Sequence, residues 1–291
     1  LNESVGAEET IQEAAKLAKW DTFNPTKDGR YKYGLGMSSI HYGNCLGAAG
    51  WHMDGSGVNI KLFPDGNVHV AYGLVEMGQG SETAVRQMTA EAMGISMDRI
   101  TVLPTNSAQV PDSGPAVASR NVVMTGNAIR NATKKILPVL KNSAAKWMSC
   151  SIDDISISND IINDRSSGTE IQFHELCDYM SKTQTDMEFT GWWHTPELDY
   201  DATTGIGEAY FSYSFATQIA KVKVDTLTGL VDVENIYAAY DVGKAINPSG
   251  IEGQVEGGSA QGIGWATTED FKIKDGKVQT PNLTTYLLPT A

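Results

Sequence analysis

An α+β fold carrying two hairpin–loop–helix units is predicted for this 291-residue chain by three observations. Strand-like runs flank turn residues twice, at 58–72 around Pro64-Asp65-Gly66 and at 219–242 around Thr228-Gly229. Each hairpin leads through a glycine-bearing loop into a helix, residues 81–93 in the first case and about 250–264 in the second. Between them a long helical stretch runs from about Val122 to Met148.

Taken in order, residues 8–20 space Ile11, Ala14, Ala15, Leu17 and Ala18 as a lead-in helix, and Asp28-Gly29 marks a turn before Gly34-Leu35-Gly36. After the first hairpin, the loop Gly73–Gly80 opens onto a helix from Ser81 to Met93 that Gly94 stops. A strand at 100–103 and a polar loop to Ser119 precede the long helix, in which Pro138 predicts a break. Residues 150–204 are polar, aromatic and weakly periodic, so they read as a linking substructure. The second unit follows, and a last hairpin turns at Asp275-Gly276. Gly253, Gly257, Gly258, Gly262 and Gly264 crowd the second helix. Each costs about 1 kcal/mol against Ala, which predicts close backbone packing there. The expected division is 1–200 and 201–291, the second segment intertwined with the first.

With 22 Lys+Arg against 35 Asp+Glu, the net charge of −13 argues against nucleic-acid binding and against an anionic membrane surface. No run approaches about 18 consecutive apolar residues, and the acidic start LNESVGAEET is not a signal peptide, so a cytoplasmic location is expected. Three widely spaced cysteines, 45, 150 and 177, suit neither a disulfide framework nor a CxxC metal site. The five histidines lack metal-ligand spacing, and no protein metal site is expected.

Four segments carry chemistry. In VEMGQGSETAVRQ, Gly78 and Gly80 flank Gln79 at a helix mouth, where unpaired N–H groups favour an anion; an ordinary turn is built the same way. Ala118-Ser119-Arg120-Asn121 opens the long helix with a hydroxyl and a guanidinium beside the same kind of backbone donors. A Ser N-cap and a solvated Arg would look identical in sequence. Gln254, after Ile246–Pro248, belongs to a third such mouth. Glu208, after Gly207 and beside Tyr210, Phe211, Tyr213 and Phe215, would act as a base near neutral pH if the aromatics desolvate it.

MGQG followed by a helix, PxxASR…GNA, GxGE, DVGxxxNP and GQVEGGxxQGxG stand here in the order found in molybdenum hydroxylases, and from about Gly34 to Ala291 the chain resembles the C-terminal half of that family's molybdopterin-binding subunit. The resemblance implies two molybdopterin-binding domains, 1–200 and 201–291. Met77, Gly78 and Gln79 would contact the cofactor, Ala118, Ser119, Arg120 and Asn121 would hold its phosphate and pterin through backbone N–H groups, Gln254 would touch the pterin, and Glu208, after Gly207, would be the general base. The expected cofactor is molybdopterin in its cytosine dinucleotide form, its molybdenum carrying a terminal sulfido or selenido ligand. Iron–sulfur clusters and FAD would sit on separate partner subunits, beside a large molybdopterin subunit. A subunit divided in this way resembles the arrangement in nicotinate dehydrogenases, which implies hydroxylation of a small heteroaromatic substrate, nicotinate to 6-hydroxynicotinate foremost, with water as oxygen source. Purine and aldehyde substrates are the alternatives, and a non-catalytic binding or assembly module is the outsider. GEPP is frequent in the family where Gly207-Glu208-Ala209-Tyr210 stands here.

Overall fold

The computed structural model describes residues 5–25 and 29–290; Asp28 of the expected Asp28-Gly29 turn lies outside the described residues. In chain order the elements are α1 (Ala7–Leu17), β1 (Tyr31–Gly43), the short α2 (Gly47–Gly50), β2 (Gly55–Leu62), β3 (Val68–Tyr72), α3 (Ser81–Met93), β4 (Ile100–Val102) and α4 (Asn121–Met148). There follow β5 (Ile155–Ser158), β6 (Ile161–Asp164), β7 (Glu170–Gln172), α5 (Phe173–Lys182), β8 (Glu188–His194), β9 (Tyr200–Asp201) and β10 (Ile206–Gly207). The chain finishes with β11 (Tyr213–Asp225), β12 (Val231–Asp241), α6 (Pro248–Thr267), β13 (Ile273–Lys274) and β14 (Lys277–Val278). Mixed helices and separate, mainly antiparallel sheets make the fold α+β, and both predicted hairpin–loop–helix units are present.

The chain forms two compact units, 1–42 with 213–291, and 43–212. Their boundaries fall between residues 42 and 43 and between 212 and 213. The first unit is discontinuous because β1 pairs with β11, almost 200 residues further on, in the sheet β1-β11-β12. Its small core is Ala14, Ala18 and Ile219, where α1 lies on the sheet. Small alanines on α1 let that helix approach closely, as an amphipathic lead-in should. The α6 helix is tied to the same sheet by the Gln218 amide donating to the Ser259 hydroxyl at 3.0 Å. The predicted packing of its glycines is not supplied by the described residues: a Cβ at Gly253, Gly257, Gly258 or Gly262 would meet nothing within 4 Å, and only Gly264 is crowded.

The second unit is built on the sheet β4-β3-β2-β8. Its β2–β3 pair is the predicted hairpin, with Val58 opposite Tyr72 and Leu62 opposite Val68. Through α3 the chain crosses over to β4, which pairs parallel to β3. Across one face lies α4, whose Met124, Ala128, Ile129, Ala132, Ile136 and Leu140 recur at helical spacing and are fully buried against Val58, Ile60 and Val70. Close approach requires Gly191 on β8, where a Cβ would lie 2.1 Å from the Ala128 carbonyl oxygen.

Pro138 does not break α4, which is helical over 28 residues. Proline removes the bond to the carbonyl of residue 134, but Lys134 and Pro138 are both exposed, so water can satisfy that carbonyl while the opposite face keeps the helix on the sheet. Residues 150–204 are more regular than the sequence suggested. They hold a three-stranded sheet, α5 and β8, and the last of these pairs with β2, which lies about 130 residues earlier in the chain. No helix among the described residues is long and apolar enough to cross a membrane.

Candidate functional site

Two of the three helix mouths expected to bind anions, those of α3 and α4, differ in what already fills them. At α3 the residue before the helix is Gly80, with φ 80°, which has no side chain to cap the first turn. Glu76 reaches forward instead. Its carboxylate accepts from the backbone N–H groups of Gly78 at 2.7 Å, Gly80 at 3.0 Å and Glu82 at 3.1 Å, and from the Ser81 hydroxyl at 2.7 Å. Because Ser81 donates to Glu76, the Tyr72 hydroxyl, 3.1 Å away, is the donor to Ser81 Oγ. Burial disfavours the Glu76 charge, but the hydrogen bonds from Ser81 and the three amides outweigh it and hold the carboxyl down at about 2. Gln79 folds back on its own loop, its Oε1 accepting from Met77 N–H at 2.6 Å and its Nε2 donating to the Val75 carbonyl at 2.9 Å. Met77 is 70% exposed.

At α4 the arrangement is reversed. Arg120 does not point at solvent: its side chain and that of Asp54 are 0% and 1% exposed, joined by Nε–Oδ1 at 2.6 Å. The guanidinium also donates to the carbonyls of Met53 (2.8 Å), Gly55 (3.1 Å) and Pro115. All three guanidinium nitrogens donate inside the protein and the side chain is buried, so Arg120 acts as a structural clamp rather than a phosphate ligand. Beside it Ala118 and Ser119 both take left-handed backbone, φ 58° and 54°, which costs non-glycine residues about 1–2 kcal/mol each. Such strain persists only where surroundings impose it, and here the Ala118 carbonyl accepts from Cys45 N–H at 2.7 Å while Arg120 anchors the next residue. Ser119 is exposed, and no side chain caps the 28-residue helix. An uncapped mouth of that length, with a hydroxyl alongside, fits an anionic group such as a phosphate.

The two mouths are neighbours. Asn121 Nδ2 lies 3.4 and 3.5 Å from the carbonyls of Leu74 and Val75, and Val75 also takes the Gln79 amide. A third motif is stitched to them by the segment after β1. There Cys45 N–H reaches Ala118, Ala48 N–H reaches the Ala209 carbonyl at 2.8 Å, and Asn44 N–H reaches Ser212 at 3.0 Å. Tyr210 lies over Gly43 and Gly47, where any Cβ would strike its ring within 2.3 and 2.7 Å.

Glu208 stands at the end of the β9–β10 ribbon, with Gly207 opposite Tyr200 and the Glu208 N–H donating to Asp199 at 2.7 Å. Gly207 is required there, since φ is 121° and a Cβ would lie 2.1 Å from the Asp199 carbonyl oxygen. The expected desolvation by the aromatic run is not found among the described residues. Glu208 is exposed, Tyr210 packs on the glycines, and Phe211 turns into the core against Trp193. Gln254, on α6 of the first unit, is exposed. Among the described residues no three His, Cys, Asp or Glu side chains gather to hold a metal. Burial pushes the thiols of Cys45 and Cys177 up to about 12, which makes them inert packing groups.

Comparison with known proteins decides the family: residues 6–291 match the molybdopterin cofactor-binding domain. The chain belongs to this family. Among relatives of this molybdopterin cofactor-binding domain, a probable xanthine dehydrogenase subunit from Bacillus subtilis (strain 168) is 32% identical over 266 residues, 90% of this chain and 34% of the relative. The structure superposes on quinoline 2-oxidoreductase of Pseudomonas putida 86 with a TM-score of 0.80 at 22% identity, over 98% of this chain and 37% of that one. It also matches the aldehyde oxidoreductase of Desulfovibrio gigas, TM-score 0.73 at 26% identity, over 99% and 29%. This molybdopterin cofactor-binding domain thus spans about a third of the length of the proteins it matches.

Glu76 and Asp54 were missed in the sequence. Glu76 did leave a signal, an acidic residue four places before a glycine at the cap position of a helix. Asp54 left none, because its partner lies 66 residues away.

Proposed function

We propose that this chain forms part of the molybdopterin-binding subunit of a molybdenum hydroxylase and contributes one wall of its active site. The observation that carries this reading is the α4 mouth: a strained, uncapped Ala118–Ser119 turn held from below by the buried Arg120–Asp54 pair and touching the Gln79 loop through Asn121. The backbone N–H groups of Ser119 and Asn121 and the Ser119 hydroxyl would hold the cofactor's phosphate, favoured by the helix dipole rather than by a guanidinium, while the Arg120 N–H closes the turn onto the Val117 carbonyl. Met77, Gly78 and Gln79 would lie along the pterin; a Cβ at Gly78 would meet nothing within 4 Å, which leaves room for a flat group there. Gln254 is assigned to the pterin on the resemblance alone. When bound, the cofactor supplies a two-electron oxidation in which water is the oxygen source.

Glu208 takes up the proton released as water gives its oxygen to an electron-poor ring carbon. Glu208 is exposed in this chain, and a large molybdopterin subunit would wall it in. Iron–sulfur and FAD subunits would carry the electrons onward, in a cytoplasmic complex. The substrate we favour is an N-heteroaromatic acid, nicotinate first; purine and aldehyde hydroxylation are the second reading, supported by the names of the relatives.

The test is to purify the native complex through this chain, count molybdenum, pterin and cytosine nucleotide, and measure reduction of the metal by nicotinate, xanthine and an aldehyde. Glu208→Gln keeps the shape of the side chain and should lower the reduction rate by about 10²–10⁴ with molybdenum content near wild type. Reduction at the wild-type rate would remove Glu208 from the chemistry and leave a binding or assembly module as the better reading.

A further inference from the structure

The α3 mouth has every feature of an anion receptor: two glycines at positive φ, three converging N–H groups, a hydroxyl and a helix of 13 residues behind them. Its anion is already present and covalently attached. We propose that Glu76 is a positioning residue whose carboxylate permanently fills the α3 mouth, shapes the Met77–Gly80 loop for the pterin, and leaves the cofactor's phosphate to the α4 mouth. The proposal rests on the reading of that loop as a cofactor contact.

Four donors on one carboxylate exceed what capping a helix needs, since an ordinary cap satisfies one or two N–H groups. The excess bonds go to Gly78 and Gly80, on either side of Gln79, so they fix the backbone that carries the amide rather than the helix alone. Ser81 and the buried Tyr72 extend the anchor into the core, at the end of β3. A cofactor phosphate entering the same mouth would meet a carboxylate that stays ionised down to a pH of about 2, and like charges at that separation repel. Sequence signals alone treat the two mouths as equivalent anion cradles. In the folded chain one is sealed by its own acid.

The test uses the full chain in its native complex, with Glu76→Ala, the isosteric Glu76→Gln, and Ser81→Ala as a control that loosens the cap but keeps the carboxylate. Hydrogen exchange of the 75–83 segment should quicken on the order of tenfold or more in both Glu76 variants, with the 117–125 segment unchanged, because charge-assisted bonds are lost at one mouth only. Millimolar acetate should slow that exchange in Glu76→Ala and restore molybdenum and pterin content, and inorganic phosphate should protect the segment in Glu76→Ala but not in wild type. Loaded Glu76→Gln should show an altered molybdenum paramagnetic resonance signal, which a purely structural cap would not produce. Unchanged exchange in Glu76→Ala, or phosphate protection of the wild-type segment, would overturn the claim that the mouth is filled. Full cofactor content and an unaltered signal despite a loosened loop would overturn the positioning role. Wild-type complex devoid of pterin would sink the functional reading and the positioning role together, whereas the exchange arm would still report on the filled mouth.

Discussion

Two helix mouths in the second unit look alike in sequence and behave differently in the fold. The α3 mouth pairs glycines at positive φ with an internal carboxylate; the α4 mouth pairs non-glycine residues at positive φ with a guanidinium buried beneath them. In the first the chain supplies the anion, and in the second it supplies only the scaffold that holds the donors open. A helix N-terminus is therefore a site for a ligand only when no side chain of the chain itself can reach it.

The largest effect that could break this contrast lies under the α4 mouth. Asp54→Ala leaves the Arg120 guanidinium buried without its counter-charge, and such a change typically costs about 3–5 kcal/mol. Denaturant unfolding should show that loss, with cofactor content falling through the α4 mouth while exchange at 75–83 stays as in wild type. A loss under about 1 kcal/mol would mean that the clamp does not support the turn.

Backbone strain provides a smaller, signed comparison. Gly80→Ala meets no atom but must adopt φ 80°, so it should destabilise by about 1–2 kcal/mol. Ala118→Gly relieves the same kind of strain at the other mouth and should be neutral or stabilising by up to about 1 kcal/mol after the entropy cost of glycine. Equal signs in thermal unfolding would show that the two turns are not held as described.

The smallest expected effect is on pH dependence. The carboxyl of Glu76 titrates at about 2 in the folded chain against an ordinary 4.5, so the stability it contributes is complete above about 4.5 and fades as pH falls from there toward 2. Unfolding measured at pH 6 and pH 3 should therefore differ less in Glu76→Gln than in wild type. An identical pH difference in both proteins would remove Glu76 as the acid-sensitive anchor.

Local signals made the hairpins at β2–β3 and β11–β12, the span of α3 and the start of α4 legible, because turn dipeptides, helix-stop glycines and helical spacing act within a few residues. The same local logic placed Pro138 as a break, and it failed there because packing of Ile136 and Leu140 holds the helix while the freed carbonyl faces water. Ordered motifs in the sequence also pointed to the family, since each motif is a short run whose residue types and order can be read directly. What only the tertiary structure decided were the pairings between distant residues. β8 found β2, β1 found β11, Arg120 turned inward to Asp54, and Phe211 turned into the core rather than toward Glu208. Burial and charge pairing are properties of neighbours in space, and the chain order of these residues carries no record of who their neighbours will be.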